Sequence, residues 1–353
     1  MKIEKSKLAK KIGQMKGIIN KNSDNGALQG ILVKDGYLIA SNTELTVKAK
    51  LEGMEGESFI IPMKSFDLID NLPDGDIQIQ CEKNVITIQM GKINNHFKTY
   101  PVEQFAYDMN SFSEDSSASV MADRLKRAAQ HVIYAVPDGA ANKTMEGMFF
   151  KCAKGKLNMV GLDGHRVAWD CLPLSGEFSF IVPKEAVEKI IQFDIKGEIR
   201  IAYSRNAALF QTDDYEIYTR LIEGEYFQYE KMFSYGDINT VVDRCLLMEA
   251  INRARLCGSK EDRMPIVMEI DGKSIRIMYK NSVADYHEEV PLQEEAGTKL
   301  KIGFNPKLFL DSLKAFDCDN IAINFSGKRM PAIINAEDSD MTALILPVNL
   351  KED

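Results

Sequence analysis

FIIPMKSFDLIDNL (residues 59–72), FIVPKEAVEKIIQF (180–193) and GFNPKLFLDSLKAF (303–316) are three versions of one phrase. Each begins apolar, reaches a proline and continues with a helical period. The prolines, Pro62, Pro183 and Pro306, stand 121 and 123 residues apart. Proline suits a first helical turn, where no intrahelical partner awaits its missing N–H. Counted from each proline, the fourth position is Phe66, Val187 or Leu310, and the seventh is Ile69, Ile190 or Leu313. The tenth is Leu72, Phe193 or Phe316. One apolar helical face is therefore written three times.

The repeat extends in both directions. Downstream, DIQIQ, EIRIA and NIAIN alternate as half-buried strands do, with Ile77, Ile199 and Ile321 spaced by 122 residues. CEKNVITIQ, YSRNAALFQ and FSGKRMPAII each supply a turn and another strand. Upstream, SKLAKKIGQMKGII, ADRLKRAAQHVIYAV and DRCLLMEAINRARL read as opening helices, with Ser6 and Asp243 as candidate N-caps. Their buried stripes begin with Leu8, Ile12, Met15 and Ile19 in the first and Leu125, Ala129, Val132 and Val136 in the second. A strand, a tight turn and a strand then follow, the turns falling at Gly36, Gly155 and Gly272. The polar run DMNSFSEDSSAS (108–119) separates the first two units, and GEYFQYEKMFSYGDIN (224–239) leads into the third. The expectation is an α+β fold of three similar domains, each helix-strands-helix-strands, with an internal repeat of about 122 residues. The boundaries fall at 1–118, 119–235 and 236–353.

Composition narrows the function. A chain of 353 residues exceeds one ordinary core. The hydrophobic share of 45% and charged share of 27% describe a soluble globular protein. No stretch approaches the roughly 20 apolar residues of a membrane span. The basic start MKIEKSKLAKK has no apolar core behind it, so it does not read as a secretion signal. Six scattered cysteines without a CxxC pair read as reduced cytosolic thiols, with neither a disulfide frame nor a metal site. Cytoplasmic location and no cofactor are expected.

The net charge of −8 argues against a generic nucleic-acid binder, but its distribution qualifies that. The first helix of unit one carries Lys7, Lys10, Lys11 and Lys16 with no acid, a formal +4. That of unit two carries Arg124, Lys126 and Arg127 against Asp123, and that of unit three Arg244, Arg253 and Arg255 against Asp243 and Glu249. These sum to +2 and +1. Equivalent helices side by side would offer phosphates a common surface without reading sequence. Taken singly, each is better explained as a solvated helix face.

The stretch GLDGHRVAWD (161–170) raises the possibility of catalysis, since Asp163 and His165 resemble a general base or part of a metal site. No third ligand or nucleophile stands at a recognisable spacing. The matching turn in unit one, ASNTELTV (40–47), has Glu44 and no histidine, and His96, His131 and His287 occupy unrelated repeat positions. No catalytic or metal-binding residues are expected.

The threefold repeat, the loop DGHRVA (163–168), the segment YTRLIEGEYFQYEKMF (218–233) and the ending ALILPVNL (343–350) together resemble one family. It is the bacterial sliding clamps, the beta subunits of DNA polymerase III, with their TDGHRLA-like and RLIDGxFPDY-like motifs and MPMRL- or LPVR-like final strand. The likeness runs the length of the chain. It implies two chains closing head to tail into a homodimeric ring, with helices lining a hole that admits double-stranded DNA. It implies a non-catalytic processivity factor that binds the DNA polymerase III alpha subunit, the clamp loader and other clamp-binding-motif proteins. The alternative is a clamp-like scaffold or paralogue that binds such peptides without being loaded in replication.

Carried over by position, the resemblance implies a partner-peptide groove of Met145, Leu162, Gly164, His165, Arg166, Val167, Phe227, Met232, Asn305, Leu308, Met330, Leu344, Leu346, Pro347 and Val348. It implies DNA-facing side chains at Lys7, Lys10, Lys11, Lys21, Arg124, Lys126, Arg127, Arg253 and Arg255. Gly164 is expected to keep its loop close to the chain. The sequence departs from the family pattern where Leu162 replaces threonine, Phe227 replaces proline and Asn349 stands for arginine. Lys351, Glu352 and Asp353 run past the usual end.

Overall fold

In the computed structural model, residues 2–53, 56–258 and 264–350 are described; Lys351, Glu352 and Asp353 lie outside them. The helices, in chain order, are α1 (Lys5–Met15), α2 (Phe66–Asn71), α3 (Ala122–Ile133), α4 (Lys184–Gln192), α5 (Arg244–Leu256) and α6 (Pro306–Lys314). Two fall in each repeat, and strands follow each of them. The apolar positions behave as their period requires. Leu8, Ile12, Met15 and Ile19 are buried on and just beyond α1, as are Leu125, Ala129, Val132 and Val136 on and beyond α3. The three proline-phased triads are all buried as well.

Packing divides the chain into two compact units, 1–123 with 185–221 and 124–184 with 222–353. Each unit holds a continuous sheet that crosses a repeat boundary. In the first, strands Ser58–Pro62, Gly30–Lys34, Tyr37–Ser41 and Leu45–Lys50 of repeat one run on into Tyr215–Arg220, Ala207–Gln211, Glu198–Tyr203 and Ser116–Met121 of repeat two. The join is Leu45–Ala49 antiparallel to Tyr215–Thr219. In the second, strand Arg166–Pro173 of repeat two pairs antiparallel with Thr342–Ile345 of repeat three. That join adds Ala332–Asn335, Asn320–Phe325, Ile238–Asp243, Asp285–Phe304 and Ile266–Lys280 to repeat two's strands, giving ten in one sheet. Repeat one also has a separate four-stranded sheet, Lys2–Glu4, Asp76–Glu82, Val85–Met90 and Ile93–Lys98, with the last at its edge.

Several sequence expectations need correction. Ser6 is not the cap of α1: Glu4 occupies that position without a side-chain cap bond, and the Ser6 hydroxyl donates to Glu4. Asp243 does cap α5, accepting from the Leu246 amide at 2.8 Å. Only Pro306 sits in a first helical turn, after the cap Asn305. Pro62 and Pro183 instead end the strands before their helices, where fixed φ suits extended backbone. The serine-rich run 108–119 does more than separate units, since its end enters the strand Ser116–Met121, paired with Glu198–Tyr203. It is a sheet edge, so its backbone bonds need no apolar alternation. Hairpin turns occur at Gly36 (φ 82°) and Gly155 (φ 76°). Gly272 is different: it lies inside strand Ile266–Lys280, opposite Ala296 at a register shift, and the chain reverses at 281–284. There glycine serves a bulge, not a hairpin.

Candidate functional site

In the second unit, one end of the sheet gathers most of the predicted groove. Strand Arg166–Pro173 pairs with Thr342–Ile345, placing Val167 opposite Leu344. Beyond the ladder, the Leu346 amide donates to the His165 carbonyl at 2.8 Å. On the far side of Thr342–Ile345, Ala332 is opposite Ile345, so Pro331 and Met330 continue toward the level of Leu346 and Pro347. The Val348 amide donates to Gly303 O at 2.8 Å, which draws the final segment alongside Asn305 and the start of α6.

Beneath this end lies a small apolar cluster distinct from the main core around α5 and α6. Val160, Leu162, Val167, Tyr229, Ile333 and Leu344 are buried in it, with Met145 and Leu346 packed against them. Leu162, in place of the family's threonine, thus adds to the apolar floor. The segment 222–233 closes over the cluster through aromatic contacts. Tyr226 stacks on Phe149 with centroids 4.6 Å apart and planes at 11°. Tyr229 meets Trp169 edge-on at 5.3 Å. Above the floor, Phe227, Met232, Met330 and Val348 are exposed large apolar side chains. Gathered exposed apolar groups of this kind mark an interaction surface.

The loop that suggested catalysis is occupied with holding itself in place. Asp163 Oδ1 accepts from the His165 amide at 2.9 Å and the Arg166 amide at 3.0 Å. Its other oxygen accepts from Arg166 Nε at 2.8 Å. Arg166 is 7% exposed and also donates to Asp311 of α6 at 3.2 Å and to Tyr134 O at 2.8 Å. Its guanidinium lies 4.9 Å over the Tyr134 ring, whose burial pushes that phenol up to about 12. Arg166 therefore supports the groove from behind and presents no cation in it. His165 is exposed. Gly164 has φ 83° and nothing near its Cβ position, so the left-handed turn requires glycine there, not close approach. Asn305 Oδ1 caps α6 through the Lys307 and Leu308 amides, leaving Leu308 half-buried beside it.

The predicted cationic side chains differ in what they offer. Lys7, Lys10, Lys21, Arg124, Arg127, Arg253 and Arg255 are exposed, and Lys126 is half-exposed. Lys11 is half-buried, donating to Tyr215 Oη at 2.8 Å, and desolvation pulls its ammonium below its ordinary range. Lys7 meets Glu4 only at 3.8 Å, and Arg255 donates to Asn252 at 3.2 Å. Arg253 is held by Glu288 at 2.7 Å and Glu249 at 3.3 Å. Arg127 lies 3.3 Å from Asp317.

Sequence reasoning sets His131 aside as lying at an unrelated repeat position, and the structure gives it partners. It is buried on α3, with Nδ1 2.5 Å from Asp170 and Nε2 3.1 Å from Asp317. Burial opposes its charge, but the two carboxylates outweigh that and raise its pKa. A cavity of about 340 Å³ lies beside it, lined by Arg124, Arg127, Asp170, Cys171, Asp338 and Asp340 among others. The spacing of Arg127 and His131 on one helix face was the available signal. No group of three or more metal-ligating side chains occurs among the described residues. Among them no helix is long and apolar enough to cross a membrane.

Comparisons with known proteins bear on the family and the fold. Residues 119–228 match the family model of the DNA polymerase III beta subunit central domain, and residues 235–349 match that of its C-terminal domain. The beta sliding clamp of Streptococcus pneumoniae is 27% identical over 295 residues, covering 80% of this chain and 77% of the relative. A structure of a putative DNA polymerase III beta subunit from Eubacterium rectale superposes with a TM-score of 0.90 at 24% identity over 99% of both chains. The griselimycin-bound sliding clamp of Pseudomonas aeruginosa gives 0.91 at 22% identity over 99% of both. The structural likenesses carry the fold, and the two family matches together span more than half the sequence. The chain belongs to the DNA polymerase III beta subunit family, the bacterial sliding clamps.

Proposed function

We propose that this clamp closes head to tail with a second copy into a ring of six repeats around duplex DNA, and that it acts in the cytoplasm. In this reading 1–118, 119–235 and 236–353 are its three domains. One observation carries the proposal. The same join is made twice: the third strand of one repeat's first set pairs with the last strand of the next repeat's second set. Two edges of that kind are left over. Ile93–Lys98 of repeat one pairs only with Val85–Met90, and residues 285–291 of strand Asp285–Phe304 pair only with Ser274–Lys280 among the described residues. Open strand edges invite pairing with another chain.

Within such a ring the opening helices of the repeats face the hole, with Lys7, Lys10, Lys21, Arg124, Lys126, Arg127 and Arg255 toward phosphate. Encirclement replaces tight binding, so weak sequence-independent contacts suffice and permit sliding. The protein performs no chemistry itself; it tethers polymerase and clamp loader through the groove at the end of the second unit's sheet. Each large apolar side chain of a partner tail buried there contributes about 1.5–3 kcal/mol before ordering costs, in keeping with exchangeable partners.

Light scattering tests the ring, with a dimer expected. Asn94→Pro, at an edge position whose N–H points away from Val85–Met90, should give folded monomers, and a monomeric wild type would overturn the assignment. Processive synthesis on primed circular DNA with a matching loader and polymerase tests the function. Phe227→Asp should abolish it while dimers persist.

A further inference from the structure

The rim of the groove carries charge that the protein leaves unpaired. Lys328 and Arg329 are exposed on the turn between Asn320–Phe325 and Ala332–Asn335, immediately before exposed Met330. Neither makes an ion pair or side-chain hydrogen bond among the described residues. Other charges near the groove are matched: Lys151 with Glu230 at 2.6 Å, Lys143 with Glu146 at 2.9 Å, Lys307 with Asp311 at 3.3 Å. On the covering segment Glu223, Glu225 and Lys231 are exposed and likewise unmatched, leaving its free charge acidic on balance. The two acids flank Gly224, whose Cβ position lies 2.6 Å from the Thr144 methyl, so this stretch is set against the Asn142–Thr144 turn. The groove thus has a basic rim at its Met330 side and acids on its covering segment.

Two residues beyond Glu225 on the covering segment, Phe227 is 40% exposed. Its ring is edge-on to Tyr226 at 6.3 Å and 86°, and Tyr226 is itself stacked on Phe149 and donates to Val160 O at 3.2 Å. The Phe227 carbonyl accepts from the Tyr229 amide at 2.8 Å. A ring held this way gives an aromatic wall in place of the family's proline.

Building on the groove proposed above, we infer that it selects linear peptides in which a pair of large apolar anchors is flanked on one side only by acidic residues. The anchors pack on Phe227 and Met330, and the acidic flank meets Lys328 and Arg329. An acidic residue on the other flank is turned toward Glu223 and Glu225 and repelled. Charge of this kind at an interface rim sets selectivity and salt dependence more than total affinity.

The test is a titration of the full-length protein with three fluorescent peptides sharing one apolar core, taken from the C-terminal tail of the matching polymerase. One carries two aspartates before the core, one carries two after it, and one carries serines in both places. One acidic peptide should bind at least about five-fold tighter than the serine peptide at low salt, and the other no tighter, with the difference shrinking as salt screens it. The double variant Lys328→Glu, Arg329→Glu should erase that advantage and leave the serine peptide unchanged. Equal binding of all three peptides, or an advantage that survives the double variant, overturns the inference. Failure of the groove itself reads differently: no peptide then binds in a manner sensitive to Phe227→Asp. The variants lie on exposed positions, and an unchanged unfolding midpoint confirms that any loss is not misfolding.

Discussion

Arg166 and Asp311 meet at 3.2 Å, one from the start of the strand that follows repeat two's DGHR loop and the other from α6 of repeat three. This contact, with Asp163 at 2.8 Å and Tyr134 O at 2.8 Å, spends the whole fork of a buried guanidinium on structure. Replacing Arg166 with methionine leaves the Asp163 carboxylate without its cation and Asp311 with only the exposed Lys307. The expected loss is about 3–5 kcal/mol, the usual result of breaking a buried pair from one side. Arg166→Lys should rescue little, because a point charge cannot serve several acceptors at fork geometry. Urea unfolding measures both, and a loss below about 1 kcal/mol for Arg166→Met would mean the network is ornamental.

His131 makes stability depend on pH. Its folded pKa is raised, so the stability it contributes is fully present below the ordinary histidine value and is lost as pH rises through the folded value. The groups facing it are Asp170, Asp317 and, through Asp317, Arg127. Asp317 is shifted down, chiefly by its bond to His131, so its share appears above the ordinary aspartate range and fades in acid below it. The unfolding midpoint of the wild type should therefore fall as pH rises past the histidine range. In His131→Asn that segment of the profile should be flat. Parallel profiles for the two proteins would count against the pairing.

On the helices proposed to face DNA, equivalent position does not mean equal effect. Lys10 has no salt bridge among the described residues, whereas Arg253 is gripped by Glu288 and Glu249. Lys10→Ala should reduce affinity for duplex and lower the slope of log affinity against log salt by about 0.9, as loss of one phosphate contact does. Arg253→Ala should change that slope much less. Fluorescence anisotropy across a salt series distinguishes them, and a larger effect at Arg253 would reverse the assignment.

Glycine at the head of the first strand set is required by crowding. A Cβ on Gly147 would lie 2.7 Å from Val182 O, and one on Gly30 would lie 2.7 Å from Ile61 O. Backbone carbonyls in a sheet cannot step aside, so Gly147→Ala and Gly30→Ala should each cost about 1–3 kcal/mol. Denaturant midpoints should drop for both. A neutral result would mean that the strand ending at Pro183 or Pro62 shifts freely.

Much of this was legible along the chain. A helix buries a fixed face, so the triads from Phe66, Val187 and Leu310 announced themselves by spacing alone, and every one is buried. Less legible were features without side-chain periodicity. The strand Ser116–Met121 hides in a serine-rich run because an edge strand is held by backbone bonds. Gly272 looks like a hairpin glycine because bulges and turns both use left-handed backbone. The sequence listed Arg166 among the groove walls, yet burial turned it inward, since its partner Asp311 is 145 residues away.

The sequence alone determined the threefold repeat, the element order and the apolar faces, because these depend on residues a few positions apart. Tertiary structure decided which strands join across repeats, which cations are spent on acids and which are left free, and where apolar side chains stay exposed. His131 between Asp170 and Asp317 is the clearest case: each is unremarkable in its own segment. Long-range charge pairing and burial arise only when distant segments meet, and the local pattern carries no record of them.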